Sequence, residues 1–372
     1  MRQGELLLIF SLAVLGSVTA QNDFPSCSGF IGCLGEPECG PYPNLLRPNR
    51  TVNSCCPGCV DHVVLGGECD PKECLPGLDC ESGECALPAT GTCQSYEHRD
   101  LLWKPKCELD GTFSAVQCKG ERLSGRCYCY SEDGRRIFGQ QWWSKAENMT
   151  CGCSRKIEAL KQQGRVDVTI HCTEDGNFDT LQCDSGVCWC ADNITGQTLG
   201  EVVPEPMMQM LPCYNATAVG DSYLRRCDSA EYALKVIRDE MRTHGTVGDA
   251  FVSKNCGYDG SYGEYQFESG NRYCTWRDNS RIGSFMVGQL PPGGMNCYCA
   301  RDSRYFQESG YLFTMLCSGD GSYIPMQSLE DKTVCVDKDG FPYAEITDTS
   351  EACPSLPATP YVLTEFEFFK LV

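Results

Sequence analysis

The sequence predicts a tandem array of small, disulfide-rich α+β units, each mostly loop. Three observations carry that expectation. Thirty cysteines in 372 residues, even in number and all beyond position 20, read as a disulfide framework. Zinc sites are disfavoured, because the four histidines (His62, His98, His171 and His244) are scattered and read as surface or loop residues. A frame, C-x-x-D-G-x-(F/Y)-x-x-x-Q, recurs four times, from Cys107, Cys172, Cys256 and Cys317. The units it marks are about 55–75 residues long, a size at which an apolar core alone is marginal and staples are needed.

The first twenty residues carry Arg2, an apolar run from Leu6 to Leu15 and a small-residue end at Val18, Thr19 and Ala20. That is the pattern of a secretory signal peptide over 1–20, and no later stretch is apolar enough to span a bilayer. The expectation is a secreted, extracellular protein without a membrane span. Sequons at Asn49, Asn148, Asn193 and Asn215 fit that route as glycosylation sites. A formal charge of −19 argues against nucleic acid and anionic membranes as partners.

Within each unit, the segment after the first cysteine looks helical. The clearest case is SAEYALKVIRDEMR from Ser229, where Ala233, Val236, Ile237 and Met241 recur at helical spacing. The D-G turns, flanked by aromatic and branched residues, read as short hairpin sheets. The glutamines of the frame (Gln117, Gln182, Gln266 and Gln327) read as structural hydrogen-bonders.

After the glutamine, the first two copies continue to CYC at Cys127 and Cys129 and to CWC at Cys188 and Cys190. With these signatures the pattern resembles the thyroglobulin type-1 module. The resemblance implies bridges Cys93 to Cys107, Cys118 to Cys127 and Cys129 to Cys151. In the second copy it implies Cys153 to Cys172, Cys183 to Cys188 and Cys190 to Cys213. In copies three and four, counting places Phe267 with Arg272, and Ser328 with Thr333, where the middle bridge would stand. Both partners of one bridge are thus missing together. The remaining cysteines then pair without remainder: Cys227 to Cys256, Cys274 to Cys297, Cys299 to Cys317 and Cys335 to Cys353. The missing bridge closes the shortest loop, worth roughly 2.5 kcal/mol against about 3.5 for the retained longer one.

The domain expectation is therefore a signal peptide (1–20), a cysteine-rich domain (21–88), modules at 89–151 and 152–213, and a linker (214–226). Divergent modules at 227–297 and 298–353 and a tail (354–372) complete it. The 21–88 region resembles the amino-terminal domain of insulin-like growth factor binding proteins, through Cys55, Cys56, Cys59, Gly66, Cys69, Cys74, Gly77, Leu78 and Cys80. Its CCPGC also echoes von Willebrand factor C modules, and its pairing stays open. The aromatic tail from Tyr361 reads as a strand packing on the fourth module.

No G-x-S-x-G, H-E-x-x-H, Walker or Rossmann frame is present, and the cysteines account for one another, so an enzyme, a cofactor or a metal is not expected. Disulfide-pinned loops lose little entropy on binding. The thyroglobulin type-1 resemblance implies inhibitors of papain-like cysteine proteases, in which loops at one edge of a module fill the active-site cleft as a non-covalent wedge. One loop lies between the first and second cysteines and another between the third and fourth. Carried over, the candidates are Leu101, Leu102 and Trp103 in the first loop, and Gly120, Glu121, Arg122, Leu123, Ser124 and Gly125 in the second. The second module offers only Asp184 to Val187. Two other readings stand beside this one: an extracellular-matrix scaffold using the modules as adhesion units, and an insulin-like peptide binder acting through 21–88.

Overall fold

The computed structural model describes residues 44–47, 58–69, 72–75, 78–86, 93–97, 101–108, 111–123, 125–165, 167–220, 222–246, 252–288, 295–329, 332–347 and 352–356. The expected leader, Asn49, His98, Ser124 and the tail from 357 lie outside them, as do five cysteines from Cys27 to Cys56. Contacts divide the chain into two units, with the break after His62. In the first part, β1 (Asn44–Arg47) pairs antiparallel with β2 (Gly58–Asp61).

The second part opens with the short hairpin β3 (Asp79–Glu81) and β4 (Glu84–Ala86), stapled by Cys69–Cys80 and Cys74–Cys85. Four repeats of one plan follow. The first has α1 (Gln94–Glu97), then β5 (Val116–Lys119), β6 (Arg126–Tyr130) and β7 (Arg136–Trp142). The second has α2 (Gly152–Gln162), β8 (Leu181–Asp184), β9 (Val187–Ala191) and β10 (Thr198–Pro204). After α3 (Ala216–Val219) the third has α4 (Arg226–Thr243), β11 (Tyr265–Glu268), β12 (Asn271–Thr275) and β13 (Arg281–Val287). The fourth has α5 (Tyr298–Glu308), β14 (Met326–Leu329), β15 (Lys332–Val336) and β16 (Pro342–Ile346). Each sheet has three antiparallel strands with the frame's last residues on the first.

The frame earns its residues locally. Its aspartate closes the turn with its own side chain: Asp175 Oδ1 accepts from Asn177 N, Asp259 Oδ1 from Ser261 N and Asp320 Oδ1 from Ser322 N. The glycine that follows is left-handed in all four copies, with φ of 83°, 84°, 72° and 81°, a region where a Cβ is strained. The glutamine side chain is buried and brackets the residue before the second cysteine, as in Lys106 N to Gln117 Oε1 and Gln117 Nε2 to Lys106 O, both 2.8 Å. Gln182 does the same to His171, Gln266 to Asn255 and Gln327 to Leu316. These bonds satisfy backbone groups that a sheet this small leaves unpaired.

Disulfides take the place of a large core. The first repeat joins Cys93 to Cys107, Cys118 to Cys127 and Cys129 to Cys151. The second joins Cys153 to Cys172, Cys183 to Cys188 and Cys190 to Cys213. The third holds Cys227–Cys256 and Cys274–Cys297, and the fourth Cys299–Cys317 and Cys335–Cys353. Both middle bridges staple directly opposed residues of the first hairpin, Cα to Cα 4.0 Å. Phe267 opposes Arg272, and Ser328 opposes Thr333, in that same register. Strand pairing alone therefore preserves the hairpin where the staple is missing.

Successive repeats dock through an arginine on the incoming helix. Arg155 of α2 donates to Tyr130 O at 2.8 Å and to Phe113 O, and Arg301 of α5 donates to Thr275 O and Tyr262 O at 3.0 Å each. The second and third repeats meet through His171 Nε2 and Asp228 Oδ2 at 2.7 Å, and through Cys172 N to Tyr258 O at 2.8 Å.

Three expectations change. His171 is not a surface residue: it is buried and stacked on Tyr223, with ring centroids 4.3 Å apart. His62 is buried as well. The 214–226 segment is no free linker, because α3 lies in it and Tyr223 enters the core with Leu181, Met208 and Leu211. Helix α4 forms at its expected place, but Val236 and Ile237 of its apolar stripe are exposed and only Cys227 is buried. The helix runs past the small core that the Cys227–Cys256 bridge anchors at its first turn.

Candidate functional site

The hairpin β5–β6 positions the longer pinned loop. Cys118–Cys127 closes it at the base, Gly125 N bonds Glu121 O across its neck, and Trp143 N bonds Gly125 O at 2.9 Å. Glu121, Arg122 and Leu123 are exposed, Leu123 to 88%. The first loop lies against the same base: Trp103 Nε1 donates to Cys118 O at 3.3 Å, and Lys119 Nζ lies 4.1 Å from the Trp103 ring centroid.

That base is covered by the fourth repeat. Lys119, 1% exposed, places Nζ 2.5 Å from Asp337 Oδ2 and 2.5 Å from Asp339 Oδ2. Arg136 Nη1 lies 3.0 Å from Asp339 Oδ1, and Arg126 Nη1 lies 2.7 Å from Asp302 Oδ1 on α5. Tyr130 donates its hydroxyl proton to Asp339. Three cations thus meet three carboxylates with almost no water between the repeats. Burial opposes ionisation of Asp339, and the charges of Lys119 and Arg136 overcome it, holding the carboxyl below its usual range. Burial pushes Asp337 upward against the pull of the shared Lys119, with the charge of Asp339 adding to the rise. Burial also works against the Lys119 ammonium, but Asp337 and Asp339 raise its pKa overall.

The candidate residues therefore divide. Leu102, Gly120, Glu121, Arg122 and Leu123 are exposed, and Ser124 lies outside the described residues. Gly125 is corrected to a buried neck position, since a Cβ there would meet Lys119 O and Glu121 O at 2.3 and 2.5 Å. Leu101 and Trp103 are half-buried, Leu101 packing on the cluster of Cys335, Tyr343 and Ile346. Leu102 N donates to Tyr343 O at 2.9 Å, so the first loop is docked on β16. No local signal pointed to this contact, because Lys119 and Asp339 are 220 positions apart.

The second repeat presents its pinned turn openly. Ser185 and Gly186, at φ of 54° and 81°, make the tight turn between β8 and β9, and both are exposed together with Val187. Arg165 Nη2 holds both Asp184 oxygens at 3.1 Å, and Thr169 Oγ1 donates to Cys183 O at 2.8 Å. The first loop is thereby fixed beside the pinned turn.

Asn148 and Asn215 are exposed, and Asn215 also caps α3 by accepting from Thr217 N at 2.9 Å. Asn193 is half-buried, with its amide nitrogen bonded to Phe178 O at 2.6 Å. Cys69, Cys74 and Cys85 bring their sulfurs together, but all three are spent in bridges and offer no thiolate to a metal.

These are small modules held by disulfides, with pinned hairpin tips as their prominent features. Residues 88–151 and 153–208 match the thyroglobulin type-1 repeat, and the chain carries such repeats. It is 35% identical over 122 residues to Equistatin of Actinia equina, covering 31% of this chain and 52% of that protein. Over 216 residues it is 24% identical to mouse thyroglobulin, covering 55% of this chain and 7% of that protein. With mouse SPARC-related modular calcium-binding protein 1 it shares 24% identity over 256 residues, covering 64% of this chain and 50% of that protein. The chain thus spans about half the length, or less, of these relatives. Among the described residues, no helix is long and apolar enough to cross a membrane.

Proposed function

We propose that the chain is a secreted inhibitor of papain-like cysteine proteases, built of four thyroglobulin type-1 modules of which the last two are divergent. It acts without forming a bond to the nucleophile. One observation carries this reading: in the first two repeats a disulfide-pinned hairpin tip is exposed beside a first loop bonded to its base. Rigid loops of this kind can fill a cleft at small entropic cost. The matched repeats and the likeness to Equistatin support it. Both repeats offer an exposed tip, with Leu123 prominent in the first and Val187 in the second.

The test is a titration of papain with the purified chain and with Val187→Asp and Leu123→Asp. The chain inhibits at sub-micromolar concentration and each substitution weakens it. Papain left fully active by a micromolar excess of chain removes the reading.

A further inference from the structure

The fourth repeat, although it lacks the pinned turn, carries in its first loop the most exposed large hydrophobic side chain among the described first-loop residues, Leu312. The bracketing glutamines fix the correspondence, since Gln117 holds Lys106 and Gln327 holds Leu316, each one residue before its cysteine. Counting back, Tyr311, Leu312 and Phe313 stand where the first repeat has Leu101, Leu102 and Trp103. In the first repeat that segment is docked on β16. In the fourth, Tyr311 N closes α5 by bonding Phe306 O at 2.9 Å, and Phe313 and Met315 turn inward to the core around Tyr323 and Val334. Alternation then points Leu312 outward at 86% exposure, beside Tyr311 at 61%.

This rim packs at the base of the hairpin that carries the first repeat's pinned tip. Trp142 ends β7 opposite Arg126, at the mouth of the hairpin. Its ring centroid lies 5.4 Å from Tyr311, 5.5 Å from Tyr305 and 5.3 Å from Phe306. Arg126 binds Asp302 on α5 and lies 4.9 Å from the Tyr305 ring. The hairpin that carries the tip and the rim are therefore held in one frame by buried charge and by tilted and edge-on aromatic contacts.

We propose that the first and fourth repeats share one binding edge, in which the tip Glu121–Leu123 and the rim Tyr311–Leu312 enter the same protease cleft. The inference rests on the inhibitor reading above and adds residues that the missing staple had made look merely structural. Two leucines almost fully exposed on rigid loops are a liability in water and an asset against a concave, largely apolar surface.

The experiment measures papain inhibition by the full chain in a Val187→Asp background, which silences the second repeat's tip, and then adds Leu123→Asp or Leu312→Asp. Exposed positions tolerate such changes, so the melting temperature stays fixed and reports folding. Each addition weakens inhibition by about tenfold or more if both side chains are buried by the same protease. If the wild-type chain inhibits but Leu312→Asp changes nothing, the shared edge is wrong and the parent reading survives. Loss of all inhibition on Val187→Asp alone also overturns the shared edge, and a wild-type chain without effect on papain removes both. A change in sedimentation on Leu312→Asp with inhibition unaltered assigns the rim to self-association and overturns the proposal.

Discussion

Replacing Lys119 with methionine removes the cation at the centre of the contact between the first and fourth repeats. Its ammonium lies 2.5 Å from one oxygen of each of Asp337 and Asp339, in a site closed to water. Removing one partner of a buried pair costs about 3–5 kcal/mol, chiefly because the other charge is left uncompensated. Arg136 still holds Asp339 at 3.0 Å, which places the cost near the lower end. Opening of the contact is then favoured by roughly a hundredfold, at 1.4 kcal/mol for each factor of ten. Hydrogen exchange of peptides over 116–126 and 332–343 reads that factor directly, with the β8–β9 hairpin as the unaffected reference. Adding Asp337→Asn restores most of the protection, because Arg136 and Asp339 then balance each other. Wild-type exchange in Lys119→Met, or a double variant worse than the single, refutes the account of the contact as a charge-balanced seal.

Two further predictions test the staples and the charges. Ser328→Cys with Thr333→Cys forms a disulfide, because the two positions oppose each other as Cys183 and Cys188 do at 4.0 Å; free thiols by mass spectrometry would show the register to be wrong. At the junction of the second and third repeats, burial works against the Asp259 carboxylate, and Arg277 with the Ser261 bonds overcomes it and lowers its pKa. A lowered pKa contributes stability that is present above the unfolded value of about 3.9 and is lost as pH falls through the folded one. The stability difference between wild type and Asp259→Asn therefore shrinks as pH falls from about 5 toward about 2, and parallel denaturation midpoints across that range contradict it.

Much of this was legible in the residues because the frame is local. The aspartate, glycine and glutamine each bond within eleven positions of themselves, so a twelve-residue window contains the reason for its own turn. The matched absence of a cysteine pair was likewise legible, since Phe267 with Arg272 and Ser328 with Thr333 are direct cross-strand partners separated only by a turn. Leu101 is half-buried for the converse reason, since the cluster it packs on contains Tyr343, far away in the chain. Gly125 differs, being buried in the loop's own neck by Lys119 and Glu121. The role of Lys119, at the end of β5, was equally out of reach, because its partners Asp337 and Asp339 lie more than 200 positions away.

By itself the sequence determined the repeated turn and the hairpins, since these rest on bonds between near neighbours; the pairing of the staples came from the resemblance of the cysteine pattern to thyroglobulin type-1 modules. Only the tertiary structure decided which loops remain free. Lys119, Arg126 and Arg136 meet Asp302, Asp337 and Asp339 across more than 160 positions of chain. Nothing in a local window carries that complementarity: a charged side chain has no partner until folding brings one within a few ångströms, and desolvation makes the pairing matter only once water is gone.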